Sequence, residues 1–310
     1  MTTYIPKTAM SLTLLLALAA CGGSGGGDPI SGGPGGTTNG PDASDGYAEA
    51  GDEIDQGITF STTGNSKLVR VGGTPSVQQS DITVAFTNPS GANPGVVTLQ
   101  VDGQSLNAVL SSGSQTDYFG QNNVNGVPTN VDFDVLETVP SNIAAQARLS
   151  IVPSGSSTDS QVTHIVYGFD TDPATIAALS PPGGSIFYDA EVNVDAVQGT
   201  TTARGSGFIS LEADFVNDTI DGSMNLGSLT GIMNGQSYDL QSTAISGNGF
   251  SGNIAVDGSL PTGLDLQSGA YAGQFYGVDA LVIGGNVLLT ITEDGSDPIS
   301  IQGAFLGTED

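Results

Sequence analysis

Five carboxylates fall at strand spacing in two neighbouring segments: Asp189, Glu191 and Asp195, then Glu212 and Asp214. Carboxylates at i and i+2 of an extended chain share a face about 6.5–7 Å apart, from a rise of about 3.3 Å per residue. Such a stripe is either a solvated strand face or a site for Ca²⁺ or a basic patch on a partner protein. Catalysis has little else to draw on. His164 is the single histidine, so no His-based metal cluster can form, and a Ser-His-Asp triad would have to use this residue. It shares its strand face with Val162 and Val166 and reads as a structural histidine. The pairs Asp132/Asp134 and Asp170/Asp172 read as solvated rather than hydrolytic. The glycine runs of 22–36 lack the Lys-Ser/Thr and strand–helix context of a phosphate loop. These residues predict a non-enzymatic protein without a cofactor.

Chemistry of a different kind is written at Cys21, the single cysteine, which can have no intrachain disulfide partner. Lys7 precedes an apolar run from Met10 to Ala20, too short to span a bilayer and followed by small residues, as in a secretory leader. Leu18-Ala19-Ala20-Cys21 resembles the lipobox of bacterial lipoproteins. That resemblance implies removal of residues 1–20 and lipidation of Cys21, with the lipid as membrane anchor. Gly22 rather than Asp follows the cysteine, which in lipoproteins of diderm bacteria implies the outer membrane. Residues 21–57 are rich in Gly, Asp and Pro, a composition that cannot offset the entropy of ordering, and read as a disordered tether. About 35 such residues reach roughly 30–35 Å.

The chain left after residue 20 carries 4 Lys+Arg against 32 Asp+Glu, a formal charge of −28. So acidic a surface repels nucleic acid and anionic lipid. Abundant Gly, no Trp and acids that are mostly Asp suit turns and strands. The fold class expected is all-β.

Elements that could position the carboxylates follow from alternation. Ile186, Tyr188, Ala190, Val192, Val194 and Ala196 share one face of 185–197, and Ile209, Leu211, Ala213 and Phe215 one face of 207–216. Further strands are expected over 219–227, 236–244, 248–256, 269–276, 282–292 and 298–306, separated by turn signals such as Asn248-Gly249 and Asp257-Gly258. Eight short strands can close into an antiparallel barrel filled by its own side chains, with no exposed edge. Sparse aromatics argue against the girdles of a membrane-spanning barrel. Between tether and barrel, 58–184 is expected to be a β-rich handle-like domain with strands at 67–71, 82–87, 97–100, 106–110, 130–139, 147–152 and 161–169. A helical turn is expected at 174–179, entered through Asp172-Pro173.

Gly273-Gln274-Phe275-Tyr276-Gly277, continuing through Ala280 to Gly284-Gly285, with a late Gly303-Ala304-Phe305, resembles the signature of the transferrin-binding-protein-B-like β-barrel lipoproteins. Val278 stands where that family has Pro, and Val282 where it has Glu. The strand pattern extends the resemblance over 185–310, and 163–184 is similar to the family's approach to the barrel. The resemblance implies a handle and a barrel on a surface lipoprotein. It also implies capture of host iron carriers, haem-related ligands or complement regulators, with an outer-membrane transporter as a candidate second partner. Gly273, Phe275, Tyr276, Gly277, Gly284, Gly285 and Phe305 read as structural, the glycines allowing tight bends and close strand approach, Phe275 and Phe305 filling the barrel.

The functional expectation is a binding module of the outer membrane or cell surface for a protein or iron-bearing ligand. The alternative is an acidic coat or adhesion lipoprotein with no dedicated small ligand. A binder should expose an aromatic patch. Tyr118 and Phe119, in a stretch read as a Gly/Asn-rich loop, and Tyr238 are the candidates.

Overall fold

The computed structural model describes residues 47, 48, 54 and 59–310, apart from 63–65, 73, 88–94, 113, 140–141, 157, 180–183 and 294. The leader, Cys21 and nearly all of the tether lie outside the described residues. The described chain is almost wholly β, in two parts.

Ten antiparallel strands come first: β1 (Thr59–Thr62), β2 (Ser66–Val71), β3 (Thr74–Gln79), β4 (Ile82–Thr87), β5 (Val96–Val101), β6 (Gln104–Leu110), β7 (Asp117–Val124), β8 (Val127–Thr138), β9 (Ala144–Pro153) and β10 (Ser160–Gly168). Their order in the sheet is β1-β4-β5-β6-β7-β8-β9-β10-β2-β3. The sheet curls far enough to bring Phe60 of β1 against Tyr167 of β10, ring centres 5.8 Å apart. Its core holds Val84, Leu99, Leu106, Val131, Phe133, Leu149 and Ile165.

Three of these strands were not expected. In β3 no side chain is fully buried, so hydrophobic alternation gives no signal; the strand is held as an edge by its register with β2. In β1, Phe60 is the one large apolar side chain. The third, β7, corrects the loop expected around Tyr118 and Phe119. Asn122 gives the backbone of Asn107 a side-chain hydrogen bond in each direction (2.9 Å both ways), and Gly120 lets β6 approach so closely that a Cβ there would lie 1.9 Å from the Asn107 carbonyl. Helix α1 (Pro173–Ala178) forms as expected, its N-cap Asp172 accepting from the Ala174 amide (2.7 Å).

The second part is a closed barrel of β11 (Ser185–Gln198), β12 (Thr201–Asp214), β13 (Thr219–Leu226), β14 (Gln236–Ser246), β15 (Gly249–Val256), β16 (Leu264–Tyr276), β17 (Val282–Glu293) and β18 (Ile299–Glu309). Pairing of β11 with β18, from Tyr188↔Glu309 to Gln198↔Ile299, closes it. Inside lie Tyr188, Val192, Ile209, Leu211, Met224, Leu240, Leu289 and Ile301. Phe275 is fully buried among Phe215 (5.3 Å), Phe250 (5.7 Å) and Tyr188 (5.9 Å). Gly285 lies where strands press together: a Cβ there would stand 2.2 Å from the Ala272 carbonyl oxygen and 2.8 Å from Phe305. Its neighbour Gly284 points outward, where a Cβ would meet Val166 of the sheet at 2.8 Å. One glycine thus fits the barrel's filling and the next its docking.

Candidate functional site

The two parts meet along β9 and β10. Both are buried on both faces, because Ala145, Ala147, Leu149, Ile165 and Tyr167 enter the sheet's core while the alternate residues face the barrel. An apolar patch of Val139, Ala144, Val166, Tyr276, Val282, Ala304 and Leu306 fills one end of that seam. Next to it, Gln146 donates to the Ala304 carbonyl (2.5 Å). Gln302 brackets His164, accepting from its amide (2.9 Å) and donating to its carbonyl (3.1 Å). The family-like motif belongs to the same seam: the Gly277 amide donates to the Phe169 carbonyl (2.9 Å), and Thr171 Oγ1 donates to the Gly277 carbonyl (2.7 Å).

At the polar end stands Asp195. Its Oδ2 accepts from Arg148 Nε (2.7 Å) and from His164 Nε2 (2.7 Å), Arg148 Nη2 reaches Oδ1 (3.3 Å), and Arg204 Nε lies 3.7 Å from Oδ1. Burial opposes ionisation of this carboxyl, yet the hydrogen bonds from His164 and Arg148 outweigh it and hold the group well below the usual carboxylate range. For His164, burial outweighs the pull of Asp195 and lowers its pKa. The imidazole is therefore neutral, with the proton on Nε2; Nδ1 is buried and makes no hydrogen bond among the described residues. A second titrating point is Asp170, which burial pushes up to about 7 against the hydrogen bond from Gln274 (2.5 Å).

Asp195 is thereby a correction to the carboxylate stripe: the outer barrel face at this point is covered by β9 and β10, and the group is consumed by arginine and histidine. The other four are separated. Asp189 accepts from Ser210 (2.7 Å), Glu191 and Glu212 are exposed, and Asp214 binds the 216–217 turn through two amides and Asn217 Nδ2. Among the described residues no group of three or more His, Cys, Asp or Glu comes together as a metal site.

The aromatic candidates also disperse. Tyr238 is a second correction: it points into the barrel and is fully buried, so it offers no surface. Tyr118 packs edge-on against Phe86 (5.9 Å) and Phe133 (6.0 Å), and only Phe119 of that pair is exposed. Two further exposed aromatics lie on the barrel, Phe187 and Phe208. Sequence reasoning passed over Arg148 and Arg204, although Gln146, Arg148 and Ser150 alternate with apolar residues, the mark of a buried strand with a second, polar face.

A closed eight-stranded antiparallel barrel seated on a curled antiparallel sheet defines the class: a two-part, all-β protein. Residues 177–309 match the family described as the C-lobe and N-lobe beta barrels of Tf-binding protein B, and the C-terminal part of the chain is a barrel domain of that family. Solved structures similar to this chain include transferrin binding protein B of Neisseria meningitidis (18% identity, 79% of this chain and 43% of that one, TM-score 0.45). A variant of the same protein from Haemophilus parasuis is another (15%, 76% and 46%, 0.47). A third is the haemoglobin receptor HpuA of Kingella denitrificans (14%, 86% and 91%, 0.42). The chain spans less than half the length of the transferrin binding proteins it matches. No curated protein matches it significantly.

Proposed function

We propose that the protein is a non-enzymatic capture lipoprotein, held to the outer membrane or cell surface by lipid on Cys21, which binds a protein or iron-bearing ligand. The observation that carries this reading is the family match of the barrel over 177–309, in a chain that starts with a lipobox-like leader. The likeness to transferrin binding protein and to a haemoglobin receptor makes iron-carrying proteins the first ligands to try. The binding surface is assigned to the exposed rims and strand faces, where Phe119, Phe187 and Phe208 supply uncovered aromatic area. Handing of the ligand to an outer-membrane transporter belongs to the same proposal.

The strong negative charge favours a second reading, an acidic coat without a dedicated ligand. The two separate on salt. The protein, immobilised with Cys21→Ser to remove the lipid, is exposed to haem, ferric chelates and iron-carrier proteins at 50 and 300 mM salt. Capture predicts saturable binding that survives the higher salt. Binding only of basic proteins, lost at 300 mM, supports the coat and contradicts capture.

A further inference from the structure

After residue 7 the chain contains only four basic side chains, Lys67, Arg70, Arg148 and Arg204, against 32 acids. Three of the four line one cleft of about 270 Å³ at the polar end of the seam. Arg70 comes from β2 and Arg148 from β9, on the sheet side, while Arg204 comes from β12 on the barrel. Ser150, Ser160 and Thr202 supply hydroxyls to the same lining, and Asp195 is its one carboxylate. A random scatter of so few cations over so acidic a molecule would not converge in this way.

Asp195 does not use up this charge. It is saturated by Arg148 and His164, and Arg204 stands off at 3.7 Å with its side chain 64% exposed. Arg70 is the telling residue, because its Nε is buried and has no hydrogen-bond partner among the described residues. A buried donor without an acceptor costs about 1–3 kcal/mol, and a charged one more. Lys67, the fourth base, is paired with Asp102 at the other end of β2 and takes no part. Asp134, across from Arg148 on β8, is within electrostatic reach of Arg148 and Arg204 and lowers the local positive charge without forming an ion pair with either among the described residues. His164 is neutral. Asp132 pairs with Ser150 and Asp159 adjoins Ser160, so the excess of positive charge is confined to the lining itself, where three guanidiniums meet Asp195.

We propose that this cleft binds a small multivalent oxyanion, a di- or tricarboxylate or a phosphate, held between Arg70 of the sheet and Arg204 of the barrel. Guanidinium forks match the paired oxygens of both groups, and the Arg70 guanidinium forms no ion pair among the described residues. The volume corresponds to about nine waters at roughly 30 Å³ each, which suits an anion of citrate size and is too small for a macrocycle. Spanning the seam, such a ligand would tie the two parts together and raise the melting temperature by mass action. This site is separate from the capture surface, and its failure would leave that reading untouched.

The test is a titration of the full chain, in detergent, with citrate, succinate and inorganic phosphate, each against sodium chloride of matched ionic strength. Melting temperature and isothermal heat are both read. The expected result is a saturable response to citrate or phosphate, with affinity reduced at least tenfold in Arg70→Gln and in Arg204→Gln. Comparison of citrate with phosphate identifies which oxyanion is preferred. Arg204 is exposed enough for its variant to fold, so it decides the matter should Arg70→Gln fail to. A response no larger than that to chloride, or one unchanged in Arg204→Gln, would overturn the proposal.

Discussion

The barrel and the sheet are built from the same antiparallel hairpins but solve the edge problem differently. The barrel closes β11 on β18 and leaves no edge; the sheet ends in β1 and β3, four and six residues long. Closure makes the barrel self-sufficient, with a filled interior. The sheet has to cover its strands β9 and β10 on a second face, and it does so with the barrel. That second face is where the arginines, His164 and the partnered Asp195 gather. Isolated polar chemistry thus concentrates where the sheet needs the barrel, and is scarce where the barrel needs only itself.

The sharpest way to break this contrast is at its two centres. Phe275→Ala empties a site surrounded by three aromatic rings and should cost about 3–5 kcal/mol, read from urea unfolding. Asp195→Asn strands Arg148, 6% exposed, without its counter-charge and should cost a similar 3–5 kcal/mol or somewhat less, because Arg204 is solvated. The two should differ in kind: the first lowers hydrogen-exchange protection in the barrel strands, the second first in β9 and β10. Gly285→Ala, forcing a methyl against the Ala272 carbonyl, should cost about 1–3 kcal/mol by overpacking, while Gly247→Ala, with nothing near its Cβ but a φ of 64°, should cost about 1 kcal/mol from strain alone.

A pH experiment sharpens the seam further. The pKa of Asp170 is raised by burial to about 7 from an ordinary value near 3.8, so the folded protein holds a proton that the unfolded chain has lost. Its contribution is present at the acid side of that window and is lost as pH rises through 7, with a slope of at most about 1.4 kcal/mol per pH unit. Asp170→Asn should flatten the fall in melting temperature between pH 5 and 8 relative to the parent. His164 acts oppositely, since its lowered pKa withdraws stability as pH falls below 6.5, but it is common to both proteins and cancels in the comparison. The smallest effect belongs to Phe208→Ser: the ring is 71% exposed, and stability should change by no more than about 0.5 kcal/mol.

The same contrast explains what could be read in advance. Barrel strands such as 185–197 alternate because one face is dry and the other wet, and period two announces them. Strand β12 begins six residues earlier than expected, at Thr201, because Thr201–Ser206 contain no large apolar side chain and carry no such contrast. Edge strands β1 and β3 are set by pairing rather than by pattern. Asp195 looked like its neighbours Asp189 and Glu191, for nothing local distinguishes an outward residue that meets water from one that meets another sheet. Tyr238 was misplaced for the converse reason: its ring lies among barrel residues that only the closed topology brings together.

Hydrogen exchange across a urea titration tests the central claim most directly, by comparing amides of β9 and β10 with those of β17 and β18. The seam, apolar at one end and ion-paired at the other, should make these strands lose protection together in the parent protein, and separately in Asp195→Asn. Strands of the sheet opening well before the barrel in the parent itself would show two independent parts, and would contradict the account.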